Sequence, residues 1–143
     1  MGRIIGVDYG LKRIGVAVTD PLQIFASPLT TVSPAEFDSF ISDFLKTSEI
    51  DAFVIGYPVT MNNKPSATVN NINLFIKDLK KKNPGRAVYL ADERFTSRIA
   101  LRAMIDGGLK KKDRQDKSIV DKISASIILQ SFLDKRAAHK ENI

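Results

Sequence analysis

The sequence runs to 143 residues, 43% hydrophobic and 27% charged, the proportions of a single soluble domain with one real core. It has no cysteine and one histidine, His139; this excludes disulfides, thiolate chemistry and Cys-ligated zinc, and argues against a Ser-His-Asp triad or a multi-histidine metal centre. The net charge of +6 fits a polyanionic partner, of which nucleic acid is the commonest, and fits equally well a chain that is basic only for solubility.

The opening Met1-Gly2-Arg3 leads into an apolar run that Asp8 interrupts too soon for a signal peptide. No stretch is long enough to span a membrane, so the expected location is the cytoplasm and no membrane partner is expected.

Three runs rich in Ile, Val and Thr come first: Arg3–Asp8, Ile14–Thr19 and Phe25–Val32. The turns between them, Tyr9–Arg13 and Asp20–Gln23, are short enough to require antiparallel neighbours. Ser33-Pro34-Ala35-Glu36 then predicts a helix start, with Ser33 as cap, Pro34 at the first helical position and Glu36 completing a capping box. Phe37, Phe40, Ile41, Phe44 and Leu45 follow at helical spacing and must face a core. Ala52–Ile55 reads as a short buried strand, and Gly56–Ser66 as a polar loop. A second helix is expected from about Ala67 to Lys82, with Val69, Ile72, Ile76 and Leu79 on one face, stopped by Asn83-Pro84-Gly85. Ala87–Ala91 is the fifth strand.

Thr96 is the expected cap of a helix continuing to Asp106 and ending at Gly107-Gly108. Lys110–Lys117 reads as a charged connector, and a last helix covers about Ser118–Arg136. Strands alternating with helices after the meander imply parallel additions to the sheet. The expected fold class is therefore α/β: a mixed five-stranded sheet, three antiparallel strands then two parallel, with helices on its faces. Residues 1–136 form one domain on this reading, and 137–143 a polar C-terminal tail.

Three acids are candidates for chemistry. Asp8 stands at the end of the apolar strand Ile4-Ile5-Gly6-Val7, where α/β sheets tend to bind ligands. An acid beside a buried strand must be paired, hydrogen-bonded or metal-bound, although an aspartate capping the turn into Gly10 gives the same pattern. Glu93 follows the strand Tyr89-Leu90-Ala91, within Asp92-Glu93-Arg94; if the fifth strand is parallel to the first, Glu93 or Asp92 comes to the edge that carries Asp8. A solvated polar loop reads identically. Asp121 falls in the first turn of the last helix, where Ser118 and Asp121 also fit a capping box.

Taken together, three carboxylates suit Mg2+ or Mn2+, which prefer oxygen ligands and keep positions for water and phosphate. Two such ions, about 3.5–4 Å apart, can cleave a phosphodiester without histidine, cysteine or activated serine. Cations lie near each acid in sequence: Lys12 and Arg13 after Asp8, Arg94 and Arg98 around Glu93, and Lys110, Lys111, Lys112, Arg114 and Lys117 before Asp121. These are the candidate nucleic-acid contacts. A solvated linker is the plain alternative for the run 110–117, whose charge Asp113 and Asp116 dilute.

The segment from Ile5 through Gly6-Val7-Asp8-Tyr9-Gly10-Leu11-Lys12-Arg13-Ile14-Gly15-Val16-Ala17-Val18-Thr19-Asp20-Pro21 to Leu22 resembles the opening signature of the YqgF (RuvX-type) family. Val54-Ile55-Gly56-Tyr57-Pro58, Asp92-Glu93-Arg94-Phe95-Thr96 and the stretch from Val120 to Asp134 resemble its later motifs, in order and at the right spacing, over nearly the whole chain. The resemblance implies a ribonuclease-H-like fold and carries an acidic triad onto Asp8, Glu93 and Asp121, as catalytic residues and metal ligands. It implies a divalent-metal-dependent endonuclease that processes the 5′ end of pre-16S rRNA, or resolves Holliday junctions in DNA. Tyr57 stands where leucine is common, and Asn62-Asn63 where a glycine turn is usual; both touch substrate fit rather than catalysis. No clear fourth carboxylate is present, which favours one metal over two. A non-catalytic nucleic-acid-binding module and a nucleotide-binding phosphotransferase are the competing classes; the phosphotransferase needs two such domains around a cleft. The sequence leaves RNA or DNA, and monomer or homodimer, open.

Overall fold

A computed structural model of the chain describes residues 2–57, 66–92 and 117–141. Five strands form one sheet: β1 (Arg3–Tyr9), β2 (Ile14–Thr19), β3 (Ala26–Val32), β4 (Ile50–Tyr57) and β5 (Ala87–Asp92). Their order is β3-β2-β1-β4-β5. β1 pairs antiparallel with β2, and β2 with β3; β4 runs parallel to β1, and β5 parallel to β4. This is the mixed sheet expected from the order of elements. The C-terminal ends of β1, β4 and β5 consequently share one edge.

The described helices are α1 (Pro34–Leu45), α2 (Ser66–Lys82) and α3 (Lys117–Glu141). α1 starts as its capping sequence predicts: the Glu36 carboxylate accepts hydrogen bonds from the Ser33 hydroxyl at 2.6 Å and the Ser33 backbone N–H at 3.3 Å. Those donors, the hydroxyl first, hold the Glu36 pKa below the ordinary glutamate range. α2 ends where Asn83 turns its side-chain amide back onto the Leu79 carbonyl at 2.9 Å.

Side chains alternate across β1, so the two faces of the sheet bury different partners. Ile5 and Val7 join Phe37 and Ile41 of α1 and Ile72, Ile76 and Leu79 of α2. Ile4, with Ala17 of β2 and Ala52 and Val54 of β4, packs against Ala125, Ile128, Leu129 and Leu133 of α3. Burying each of the larger side chains contributes about 1.5–3 kcal/mol.

The α3 face is unusual in being built on small residues. A Cβ at Gly6 would stand 2.7 Å from the Leu129 Cβ and 3.0 Å from the Ala125 carbonyl oxygen; one at Gly15 would overlap the Asp121 carbonyl. The helix thus rests almost on the backbone of β1 and β2. Polar bonds tie it down at both ends. Near its start the Thr31 hydroxyl donates to the Ser118 carbonyl at 2.6 Å. Towards its other end Arg136 donates to the Gln23 side chain and carbonyl, each at 3.2 Å, and Gln130 accepts from the Ala26 N–H at 2.9 Å.

Some boundaries differ from those read in sequence. β4 spans Ile50–Tyr57 rather than Ala52–Ile55; exposed Asp51 breaks the apolar pattern but is paired with the Gly2 N–H at 3.1 Å and Gln23 at 2.8 Å. β3 starts at Ala26, because Phe25 gives its N–H to the Asp20 carboxylate in the preceding turn. α3 runs to Glu141, five residues beyond Arg136, where a polar tail was expected; Ala137-Ala138 favour helix and neither glycine nor proline stops it. The helix expected over 96–106 and residues 110–116 of the expected connector lie outside the described residues; Lys117, its last residue, is the first of α3. Among those described, no helix is long and apolar enough to cross a membrane.

Candidate active site

Asp8 is the penultimate residue of β1. Tyr9 stacks on Phe75 of α2, with ring centroids 4.7 Å apart, which anchors the strand end on the opposite face. Alternation then turns Asp8 to the α3 side, in line with Ile4 and Gly6. It lies within the strand and opposite Gly15 of β2 in the antiparallel register.

Gly15 is what brings the second acid near. With no side chain, it lets the Asp121 carbonyl and the Lys122 nitrogen of α3 approach the strand directly, the nitrogen lying 2.9 Å from where a Cβ would be. Asp121 is thus seated on the strand residue that pairs with Asp8. It shares the sheet-facing side of α3 with Ala125 and Leu129, one and two helical turns further on.

The Asp121 carboxylate is half-buried, and its Oδ2 accepts a hydrogen bond from Arg13 Nε at 2.8 Å. This corrects the capping-box alternative. α3 begins at Lys117, so Ser118 is already inside the helix and Asp121 is in its second turn, bonded across the fold to the β1–β2 turn. A pair at this exposure contributes on the order of 1 kcal/mol or less, so it yields readily when either ion meets a better partner. Lys12, beside Arg13, is exposed.

Asp8, Asp121, Lys12 and Arg13 are therefore gathered at the edge formed by the C-terminal ends of β1, β4 and β5. Glu93 follows Asp92, the last residue of β5, whose register partner is Tyr57. Glu93, Arg94, Arg98, Lys110, Lys111 and Lys112 all lie outside the described residues. Among the described residues, no three His, Cys, Asp or Glu side chains gather at one point; Asp8 and Asp121 are the two candidate acids among them. Sequence reasoning missed Gly15, and read Arg13 only as a nucleic-acid contact. Gly15 supplies the seat for Asp121, and its signal was a glycine inside an otherwise apolar strand. Arg13 has a carboxylate partner 108 positions away, for which the sequence carries no local signal.

Comparison with known proteins places this geometry. Residues 2–135 match the family model described as "RuvX: Holliday junction resolvase". The chain belongs to the RuvX family. Its RuvX relatives include a protein of Amoebophilus asiaticus, 47% identical over 139 residues, covering 97% of this chain and 99% of that one. Another, from Phocaeicola vulgatus, is 51% identical over 136 residues, covering 95% and 98%. Both carry the name "Putative pre-16S rRNA nuclease". Among solved structures, Thermus thermophilus RuvC in complex with a Holliday junction superposes with a TM-score of 0.55 at 18% identity, covering 96% of each chain. Fowlpox virus resolvase with junction DNA gives 0.54 at 13% identity, covering 93% of this chain and 97% of that one. At these identities the likeness is one of fold, and it makes this RuvX chain ribonuclease-H-like in architecture. Membership makes it a chain of a nuclease family.

Proposed function

We propose that the protein is a divalent-metal-dependent endonuclease acting on nucleic-acid phosphodiesters, with Asp8, Glu93 and Asp121 as its metal ligands and precursor 16S rRNA as its leading substrate. The observation that carries this reading is the seating of Asp121 on Gly15, the register partner of Asp8. It sets the backbone of one acid against the strand residue that pairs with the other, near the strand-end edge of the sheet.

The donor chemistry fits Mg2+ or Mn2+. Both described acids offer hard oxygen ligands, the chain has no thiolate, and no imidazole is among the described side chains to favour zinc. Glu93 is the third ligand on this reading, one residue past a strand parallel to β4 and β1. Bound metal supplies Lewis-acid stabilisation of the negative charge that builds on the phosphate during cleavage.

The protein's own groups do the rest. Asp8 and Asp121 fix where the ion sits because one is held in a strand and the other on a helix packed against that strand. Lys12 and Arg13 attract the phosphate backbone, with Arg94, Arg98 and Lys110, Lys111 and Lys112 as further contacts, and position it without reading sequence. Residues 1–136 act as one nuclease domain, and α3 extends it through Glu141. A cytoplasmic location accords with an rRNA precursor as substrate.

The second reading within the same chemistry is resolution of Holliday junctions, favoured by the description of the matching family model. The deciding experiment presents precursor 16S rRNA and a four-way DNA junction side by side, with Mg2+, Mn2+ or EDTA. Metal-dependent trimming of the rRNA 5′ end supports the leading reading; cutting of the junction alone favours the second. Binding of either substrate without cleavage under any condition would return the protein to the class of non-catalytic nucleic-acid-binding modules.

A further inference from the structure

Arg13 stands on the carboxylate that the proposed function assigns to the metal. Among the described residues only its Nε is engaged, with Asp121 Oδ2 at 2.8 Å. A guanidinium has five N–H donors; among the described residues, the two terminal nitrogens of Arg13 make no hydrogen bond. The side chain is about two-fifths exposed, while Asp121 is 24% exposed. Arg13 thus joins a half-buried acid at one end and opens to solvent at the other.

A guanidinium and a divalent ion on the same carboxylate stand within about 5–6 Å of each other, given their usual contact distances. They repel. A phosphate arriving at the solvent side relieves that repulsion, because it accepts the terminal N–H groups of Arg13 in the forked geometry that arginine favours. Lys12 next door adds charge for the same phosphate.

We propose that Arg13 is a positioning residue that couples the metal to the substrate. It neutralises Asp121 in the free protein and hands its charge to a phosphate when nucleic acid arrives, so the divalent ion binds weakly until nucleic acid is present. The inference rests on the reading of Asp8 and Asp121 as metal ligands. Linkage requires the converse as well: metal tightens the hold on nucleic acid.

The test is a titration of the protein with Mn2+ in the absence of nucleic acid, following free Mn2+ by electron paramagnetic resonance. Removing one positive charge at this separation raises affinity for a divalent ion on the order of tenfold in a water-like dielectric. Arg13→Gln is therefore expected to bind Mn2+ about tenfold more tightly than wild type, and Arg13→Lys, which keeps the charge, close to wild type. Arg13→Met serves if Arg13→Gln does not fold. In a second arm, fluorescence anisotropy measures binding of a phosphorothioate RNA oligonucleotide with and without Mn2+; the gain on adding Mn2+ is expected to shrink in Arg13→Gln. Equal or weaker Mn2+ binding by Arg13→Gln overturns the inference, since a residue that merely orients Asp121 would help the metal. Asp121→Asn separates the two levels. If it loses Mn2+ while Arg13→Gln is unchanged, the coupling alone falls. If Arg13→Gln and the double variant Arg13→Gln with Asp121→Asn take up Mn2+ alike, or neither does, the ligand reading falls and the coupling with it.

Discussion

Gly15 of β2 lies directly under the backbone carbonyl of Asp121, with no room between them for a methyl group. A strand residue is thereby fitted to a helix residue more than a hundred positions later in the chain, and a candidate catalytic acid is put in place by backbone contact.

Gly15→Ala should accordingly damage both fold and site. The added methyl meets backbone atoms of Asp121 and Lys122, which cannot rotate away as a side chain can. Overpacking of this kind costs roughly 1–3 kcal/mol, and the rigid neighbour puts Gly15→Ala at the upper end. A lower urea midpoint at unchanged slope would report the destabilisation. Cleavage should fall further than stability, because the start of α3 is what moves. A variant with wild-type midpoint and turnover would contradict the close seating.

Asp8→Asn should abolish cleavage and leave fold and nucleic-acid binding largely intact. Asparagine keeps the size and the strand position but loses the charge that a hard cation needs. Loss of several kcal/mol of charge stabilisation corresponds to a rate reduction on the order of a thousandfold. Circular dichroism, a binding titration and a cleavage assay with Mg2+ or Mn2+ on the purified variant check the three parts separately. Turnover like that of wild type would remove Asp8 from the site.

Lys12 is exposed beside the acids and is expected to bind phosphate. Lys12→Gln should weaken binding evenly across sequences. The slope of log affinity against log salt should flatten by about 0.9 for duplex DNA, or about 0.7 for single strands, for each phosphate that the variant no longer neutralises. An unchanged slope would show that Lys12 serves solubility only.

At the far end of the sheet, the Asp20 carboxylate accepts N–H bonds from Phe25 at 2.8 Å, Ile24 at 2.9 Å and Leu22 at 3.1 Å. These donors, Phe25 first, hold its pKa below the ordinary aspartate range. A carboxyl whose folded pKa is depressed adds stability above its unfolded pKa, about 4, and loses it as pH falls through the lower native value. Asp20→Asn should therefore be less stable than wild type at neutral pH, with the gap closing below about pH 4. Chemical denaturation at several pH values measures the gap; one that persists undiminished into acid would rule out the carboxylate charge as its source.

The sheet was readable from the chain because its signals are local. Ile and Val alternate with small residues in β1 and β2, short turns force the antiparallel start, and Ser33 to Glu36 announces α1. Asp8 was visible for the same reason, as an acid closing an apolar strand. Asp121 is ambiguous in the sequence because a helix start offers a structural use for an aspartate, and its bond to Arg13 is with a residue too distant in the chain to be read there. That bond, like the fit of Gly15 under α3, depends on distant segments meeting, which no local pattern encodes. The ends of β4 and α3 are hidden in the sequence, where Asp51 and the polar residues after Arg136 mask regular structure; hydrogen bonds to Gly2 and Gln23 in one case, and continuing helix propensity in the other, outweigh that polarity.

The unequal faces of the sheet bear on how such a chain tolerates change. On the side of α1 and α2, the spacing is set by interlocking side chains such as Phe37, Phe53 and Ile72, which can be exchanged for others of similar volume as long as the space stays filled. On the side of α3 the spacing is set by main-chain atoms, through Gly6 and Gly15, and no exchange elsewhere alters it. Sequences can drift on the first side while the acids keep their places on the second. Conservation within the family is therefore expected to be heavier at these two glycines than at the larger hydrophobic residues they sit among, and an alignment of RuvX sequences would show whether it is.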